Sequence, residues 1–405
     1  MPDIFLARQP IFDVEYNLHG YELLYRDGFN DSAVYDSADL ATSKVMLSSV
    51  IDIGIEKITS GHDCYINICD DYIDDIEDIF DIPFGSLAIT FELDISKPLS
   101  DKHFEVLTRL SSEGIKLAID HFKPEKSSAA MMQLFDVIKC DTQSLTQEQL
   151  IQSAQVAKQH NCKIIGTNIE DYQQIPNLIN LGVDYLQGFF LSRPDTTSQK
   201  SVPTILLPVI KTLSRILDPE LDLTELEALI SSDVSFSYRV LRLVNSAGFN
   251  IDEINSISRA IVYLGRDAIK KLAIIIVLTG VDDKPTELSK LALIRGKMCE
   301  ILAEQVGAED ANSYFTVGLL SVLDAMLDQS MEHIIDELAI SNELRQALLL
   351  QGFMGKTLQC VIDYEKCCLN KNKLNEINEL DSSELSDYYI RSIEWAEQTF
   401  SGLSL

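Results

Sequence analysis

The chain has 405 residues, 46% hydrophobic and 24% charged, which is enough apolar material for packed cores in two or three domains. Its 63 acidic and 33 basic side chains leave a formal charge of −30, which argues against a protein that coats nucleic acid or binds an anionic membrane electrostatically. No uncharged apolar stretch approaches the roughly 18 residues of a membrane span, Met1-Pro2-Asp3-Ile4 lacks the basic region of a signal peptide, and the eight cysteines, with no CxxC pair, read as reduced, buried thiols of a cytoplasmic protein.

The first half alternates strands and helices. A strand opens at Ile4-Phe5-Leu6-Ala7 and ends near Gln9-Pro10, and 37–55 reads as a helix. Next comes a row of polar residues, each ending a short apolar run. Asn67 follows Cys64-Tyr65-Ile66, Glu92 follows Ile89-Thr90-Phe91, and Asp120 follows Leu117-Ala118-Ile119. Asp141 follows Val137-Ile138-Lys139-Cys140, and Gln187 follows Tyr185-Leu186. This recurrence, with helical patterns between the runs, is the rhythm of a TIM-like (β/α) barrel, which gathers its strand ends into one pocket. The acidic stretch 70–81 carries Tyr72, Ile73, Ile76, Ile79 and Phe80 at helical spacing and reads as one amphipathic helix with a solvated face. Strands at 163–167 and 185–189 follow helices at 147–160 and 173–181, with Gly182 as a helix C-cap.

The rhythm stops after Pro194. A polar stretch from Pro194 to Ser201 reads as a linker, so the barrel is expected over 1–197 and a second domain over 198–405, with its core at about 205–350. That second domain is all-α in pattern, with helices at 223–230, 235–245, 257–264, 267–281, 287–306, 311–327, 332–339 and 342–351. Thr224, with Glu225 and Glu227 in the following turn, marks the start of the first of these. Trp395 lies near the end with Ile390 and Phe400, either docking a last helix or exposed as a contact.

Read as chemistry, Glu22, Asn67, Glu92 and Asp120 are four oxygen donors in separate segments, the ligand set that hard cations such as Mg²⁺ take. Lys139 and Asp141 place a cation and an acid two apart on one strand face. Gln9, Arg26 and Gln187 can hold phosphate or base edges.

The words Gln9-Pro10-Ile11, Tyr21-Glu22-Leu23-Leu24-Tyr25-Arg26, Ile66-Asn67-Ile68, Phe91-Glu92-Leu93, Asp120-His121-Phe122, Ile138-Lys139-Cys140-Asp141 and Gln187-Gly188-Phe189-Phe190-Leu191 come in one order. Over about 1–195 that order resembles the EAL domain, a family of bacterial cyclic di-GMP phosphodiesterases on a TIM-like barrel. The resemblance implies a first metal site at Glu22, Asn67, Glu92 and Asp120, and nucleotide contacts at Gln9, Leu24, Arg26, Asp141 and Gln187. It also implies a second metal, held by the acid after Asp120 and by a Glu on the sixth strand. Here those positions are His121 and Thr167, and neither is a Mg²⁺ ligand of the kind required. The glycine-bearing loop expected after Asp120 is replaced by His121-Phe122-Lys123-Pro124-Glu125-Lys126-Ser127-Ser128. Lys139 is retained.

Downstream, Ile230-Ser231-Ser232-Asp233 to Asn245-Ser246-Ala247, then Ile257-Ser258-Arg259-Ala260 to Leu264-Gly265, resemble the HDOD domain, an all-α output module related to the metal-dependent HD phosphohydrolases. Those hydrolases need several His and Asp ligands, whereas His333 is the sole His after residue 160, and Ser321-Val322 stand where His-Asp would fall. Asn245 reads as a satisfied cap or interhelix hydrogen bond, and Arg239, Arg242 and Arg266 as surface or ion-paired residues.

The expectation is therefore a non-catalytic signalling protein in which a degenerate EAL barrel is coupled to an HDOD module acting through protein contacts. The alternatives are a cyclic di-GMP receptor that binds without hydrolysis, and a weak phosphodiesterase that recruits a transition metal through His121. No cofactor is required; a residual single site would take Mg²⁺ or Mn²⁺. Other signalling proteins and cyclic di-GMP are the expected partners, nucleic acid and membrane are not, and the resemblance allows a homodimer through the barrel.

Overall fold

A computed structural model describes residues 4–27, 54–68, 73, 89–94, 99–126, 129–193, 207–246, 254–281, 284–377 and 380–403. It divides into two compact units, Met1–Phe190 and Leu191–Leu405. The helices expected over 37–55 (apart from its end) and 70–81, and the linker at 194–201, lie outside the described residues.

In the first unit the strands are β1 (Ile4–Asp13), β2 (Leu18–Asp27), β3 (Asp63–Ile68), β4 (Ile89–Asp94), β5 (Lys116–Asp120), β6 (Val137–Asp141), β7 (Lys163–Thr167) and β8 (Tyr185–Gln187). The helices between them are α1 (Ile55–Thr59), α2 (Asp101–Ser112), α3 (Ala129–Met132), α4 (Gln147–His160) and α5 (Ile175–Leu181). The strands close in chain order into a barrel, as their spacing predicts. One strand departs from a uniform barrel: β1 runs antiparallel to both β2 and β8, while β2 through β8 are parallel. The hairpin that reverses it is sealed by the Asp13 carboxylate, which accepts from the amides of Glu15 at 2.8 Å and Asn17 at 2.9 Å. Counting both hairpin strands, Thr167 ends the seventh strand, not the sixth.

The register explains why the polar residues meet. Gln9 lies opposite Glu22, Ile11 opposite Gln187, Asn67 opposite Glu92, and Asp141 opposite Thr167. Beneath them Ile11, Tyr65, Ala118, Val137 and Ile165 pack together across non-adjacent strands, which only a filled barrel lumen permits. Gly188 lets the chain after Gln187 press on β7's exit. A Cβ there would lie 2.0 Å from the Ile169 carbonyl oxygen, and the Ile169 amide donates to the Gln187 carbonyl at 3.1 Å. Helix α4 carries a full capping box between Thr146 and Gln149, and Gly182 ends α5 in the left-handed conformation, as read from the sequence. The last strand stops at Gln187, because residues 189–192 form a 3₁₀ turn.

The second unit is all-helical, with α6 (Leu207–Leu217), α7 (Leu223–Ser231), α8 (Val234–Ser246), α9 (Ile257–Leu264), α10 (Arg266–Thr279), α11 (Thr286–Gln305), α12 (Ala311–Leu320), α13 (Leu323–Leu327), α14 (Met331–Glu337), α15 (Asn342–Leu348), α16 (Gly352–Glu365), α17 (Lys371–Asn375) and α18 (Leu385–Leu403). Asp222, not Thr224, caps α7, through a capping box with Glu225. The helix expected over 311–327 breaks at Ser321-Val322. Three helices lie beyond residue 351. The last of them, α18, packs on α11, and Trp395 sets its ring edge-to-face on Phe315 with centroids 5.6 Å apart, which decides its role as a docking residue.

Asn245 behaves as expected. Its side chain donates to the Ile254 carbonyl and accepts from the Ile254 amide, both at 3.0 Å. Arg266 donates to the carbonyls of Pro219 and Leu221. Among the described cysteines, five are buried, but Cys367 is half-buried and Cys368 exposed, which corrects the expectation that all are buried; Cys69 lies outside the described residues. Among the described residues no helix is long and apolar enough to cross a membrane.

Candidate functional site

The centre of the barrel's polar layer is Lys139 on β6. Its Nζ lies 2.8 Å from Glu22 Oε2 on β2 and 2.8 Å from Glu92 Oε1 on β4. All three side chains are buried, Glu92 completely. Glu22 is further held by Asn67, whose Nδ2 donates to Oε1 at 2.7 Å, and by Gln187, whose Nε2 donates to Oε2. Gln187 Nε2 also donates to Gln9 Oε1 at 3.1 Å. Thus Gln9, Glu22, Asn67, Glu92, Lys139 and Gln187 converge from six strands, five of them on Glu22 or Lys139 directly.

One ammonium between two buried carboxylates can neutralise only one of them. Burial pushes the Glu22 carboxyl up, but the Lys139 charge and the hydrogen bonds from Lys139 and Gln187 outweigh it and hold Glu22 below the ordinary glutamate range. Burial and the Glu22 charge drive Glu92 well above that range, against the pull of Lys139. Burial would strip the Lys139 proton, but Glu22, Glu92 and Asp120 outweigh it and hold the ammonium. The Lys139 charge therefore favours ionised Glu22, and Glu92 is the harder of the two carboxyls to ionise.

The remaining residues lie at the rim. Asp120 turns toward its neighbour: Oδ1 accepts the His121 amide at 2.9 Å, and Oδ2 lies 3.3 Å from His121 Nδ1. His121 is 43% exposed, with φ at 47°, a left-handed conformation that few non-glycine residues adopt. Thr167 spends its carbonyl on Thr142, accepting from N at 3.1 Å and Oγ1 at 2.9 Å. Asp141 shares a strand face with Lys139 but serves the next turn. Burial raises its carboxyl, yet hydrogen bonds from the Gln143 amide and from Asn168 and Ser144 win and hold it low. Leu24 is buried, two residues from Glu22 on β2 and opposite Ala7. The Arg26 side chain lies outside the described residues.

In donor chemistry, Glu22, Asn67, Glu92 and Asp120 fit one hard divalent cation. The buried Glu92 carboxylate, whose Oε2 accepts no hydrogen bond among the described residues, favours such a charge. As they stand, no three His, Cys, Asp or Glu among the described residues converge closely enough to hold one, because the Lys139 ammonium lies between the two glutamates and Asp120 faces His121. His121 and Thr167 do not fit a second Mg²⁺.

Residues 51–194 match the family model of the EAL domain, and residues 201–346 match that of the HDOD domain. The chain carries an EAL domain followed by an HDOD domain. Two relatives align along most of the chain and most of their own length. An uncharacterized protein of Bacillus subtilis, YuxH, is 27% identical over 97% of this chain and 98% of its own. The cyclic di-GMP phosphodiesterase CdgJ of Vibrio cholerae is 27% identical over 90% of this chain and 84% of its own. A solved structure of the Bacillus subtilis YkuI protein, with an EAL domain, in complex with cyclic di-GMP and calcium, is 19% identical, covers 65% of this chain and 72% of its own, and gives a TM-score of 0.40.

In the HDOD unit, the position read as a lost metal site holds a buried ion pair. Arg295 Nε donates to Glu365 Oε2 at 2.9 Å, and its Nη1 donates to Ser321 Oγ at 3.4 Å. Burial raises the Glu365 carboxyl despite the Arg295 charge. The sequence reading missed this pair, and also missed His19, which stacks on Tyr185 at 4.0 Å and shares a 2.9 Å hydrogen bond with the Tyr65 hydroxyl. Neither has a local signal, since the partners lie 70 and 46 residues away.

Proposed function

We propose that this chain is a non-hydrolysing protein of cyclic di-GMP signalling, whose HDOD unit passes the signal on through protein contacts. Cyclic di-GMP signalling is supported by the EAL and HDOD family matches and by a relative named as a cyclic di-GMP phosphodiesterase. The observation that carries the non-hydrolysing reading is the pair His121 and Thr167. Hydrolysis through two metals needs carboxylates that clamp both the attacking and the leaving oxygen. At these strand ends the chain offers an exposed imidazole leaning on Asp120 and a threonine whose carbonyl is engaged by Thr142. A bound cation would be held by Glu22, Asn67, Glu92 and Asp120 and would supply a Lewis acid. The chain's own part is to keep Lys139 charged and Glu22 oriented by Asn67 and Gln187. The test is turnover of cyclic di-GMP by the purified full chain with Mg²⁺ and with Mn²⁺. No linear product is expected with either, and turnover at enzyme-like rates, as the name of the Vibrio cholerae relative would suggest, overturns the reading.

A second reading, a receptor that binds the dinucleotide intact, is favoured by Gln187. Its amide hydrogens are spent on Glu22 and Gln9, while its buried Oε1 has no partner among the described residues and is left to accept from a ligand. Calorimetric titration of cyclic di-GMP in the presence of Ca²⁺ tests it. Saturable heat that disappears in Gln187→Ala supports the receptor; no heat leaves the protein-contact reading alone.

A further inference from the structure

The side chains that would ligate a divalent cation in the barrel are engaged by the chain's own hydrogen-bond donors. Glu22 has both carboxylate oxygens committed. Oε1 accepts from Asn67 Nδ2 at 2.7 Å, and Oε2 accepts from Lys139 Nζ at 2.8 Å and from Gln187 Nε2. Asn67 thereby turns its NH₂ group to the carboxylate, and an amide NH₂ has no lone pair to give a metal. Asp120 is turned to His121, with Oδ1 on the His121 amide at 2.9 Å and Oδ2 3.3 Å from His121 Nδ1. Glu92 Oε1 lies 2.8 Å from the same Lys139 Nζ, while Oε2 accepts no hydrogen bond among the described residues.

An ammonium and a metal ion seek the same thing, oxygen lone pairs bearing negative charge. An ion entering between Glu22 and Glu92 must push Lys139 aside or sit beside it. Beside it, the ion meets a like charge a few ångströms away, where buried charges are screened far less than in water. Pushing it aside strands a buried ammonium. The layer beneath holds Ile11, Ala118, Val137 and Ile165, whose side chains offer it no acceptor. To ligate the ion, Asn67 would also have to rotate its amide and Asp120 to leave His121. Each rearrangement subtracts from the affinity of the ion.

We infer that Lys139 is a built-in cation that stands in for a divalent ion: it completes the polar layer of the barrel by itself and suppresses metal binding at Glu22, Asn67, Glu92 and Asp120. The inference rests on the non-hydrolysing reading, in which the barrel has no use for a metal. Its test reads metal binding and not turnover, so either can fail alone.

The experiment titrates Mn²⁺ alone into the full chain after chelation, with free Mn²⁺ followed by its paramagnetic resonance signal. The parent is compared with Lys139→Met, which removes the charge and keeps an unbranched side chain. The variant should bind Mn²⁺ at least about tenfold more tightly than the parent, because a like charge has left the site. Adding Glu92→Gln to it should abolish the gain, which locates the ion. Equal or weaker binding by Lys139→Met, or a gain that survives Glu92→Gln, overturns the inference. Because the loss of Lys139 weakens the fold, a second measurement keeps the parent's lysine in place. The parent's melting temperature is taken in EDTA and in millimolar Mn²⁺ at matched ionic strength, and it should move by no more than about a degree. A rise of several degrees that Glu92→Gln abolishes is the mark of an ion bound tightly to the native barrel and overturns the inference.

Discussion

Lys139 is the residue on which the barrel's polar layer depends. Replacing it with Met would leave Glu22 buried without its counter-charge, and Asn67 and Gln187 can donate hydrogen bonds but cannot supply one. Removing one member of a buried pair costs about 3–5 kcal/mol, so urea denaturation of Lys139→Met should show a loss of that size; a loss below about 1 kcal/mol would mean that water already reaches the pair. Glu92 titrates in the opposite sense to Glu22. Its folded-state value is raised, so the stability it contributes is fully present below the ordinary glutamate value of 4.5 and is lost as pH rises through the folded value. Glu22, held low, contributes stability above the ordinary value that is lost as pH falls. Glu92→Gln keeps the shape of the side chain without the proton. The variant should gain on the parent as pH rises above the ordinary glutamate value of 4.5. Identical pH profiles would show that Glu92 is ionised in the fold.

At the scale of elements, the tightest constraint is the crossing of α11 and α12. A Cβ added to Gly318 would lie 2.5 Å from the Arg295 carbonyl oxygen and 2.7 Å from the Gly296 amide nitrogen, backbone atoms with no flexible end to move aside. Gly318→Ala should cost about 1–3 kcal/mol, read from the thermal melt, and it should loosen the Arg295–Glu365 pair, whose arginine sits on α11 beside this crossing; an unchanged melt would place the two helices further apart than described. The sequence makes this region legible only in part. Periodicity marks α11 and α12 because each repeats its apolar residues at helical spacing. It misses the break at Ser321-Val322 because both residues continue the pattern, and only the local backbone ends the helix. The barrel is read better, since each strand end carries its own polar residue, and Glu22, Asn67, Glu92, Lys139 and Gln187 meet as their positions suggest. The antiparallel course of β1 is invisible locally, because a strand's alternation is the same in either direction. The role of Lys139 is invisible for a related reason: a lysine in an apolar run does not say which carboxylates, 117 residues away in the case of Glu22, will meet it.

For the whole molecule the governing quantity is charge. A cyclic dinucleotide is an anion, and the barrel's strand ends present Glu22, Glu92, Asp120 and Asp141 against Lys139 on a chain of net −30. Most anion sites owe their affinity to clustered cations, and salt weakens them. Here the long-range field opposes the ligand, so salt should help. As ionic strength rises from about 10 mM to about 150 mM the screening length falls from about 30 Å to about 8 Å. Repulsion from distant carboxylates then fades, while a hydrogen bond accepted by Gln187 Oε1 is unaffected. Any binding of cyclic di-GMP, measured by calorimetry across that range, should therefore tighten severalfold. Weakening with salt would mean that cations close to the ligand, with Arg26 the first to replace, outweigh the acidic field of the rest of the chain.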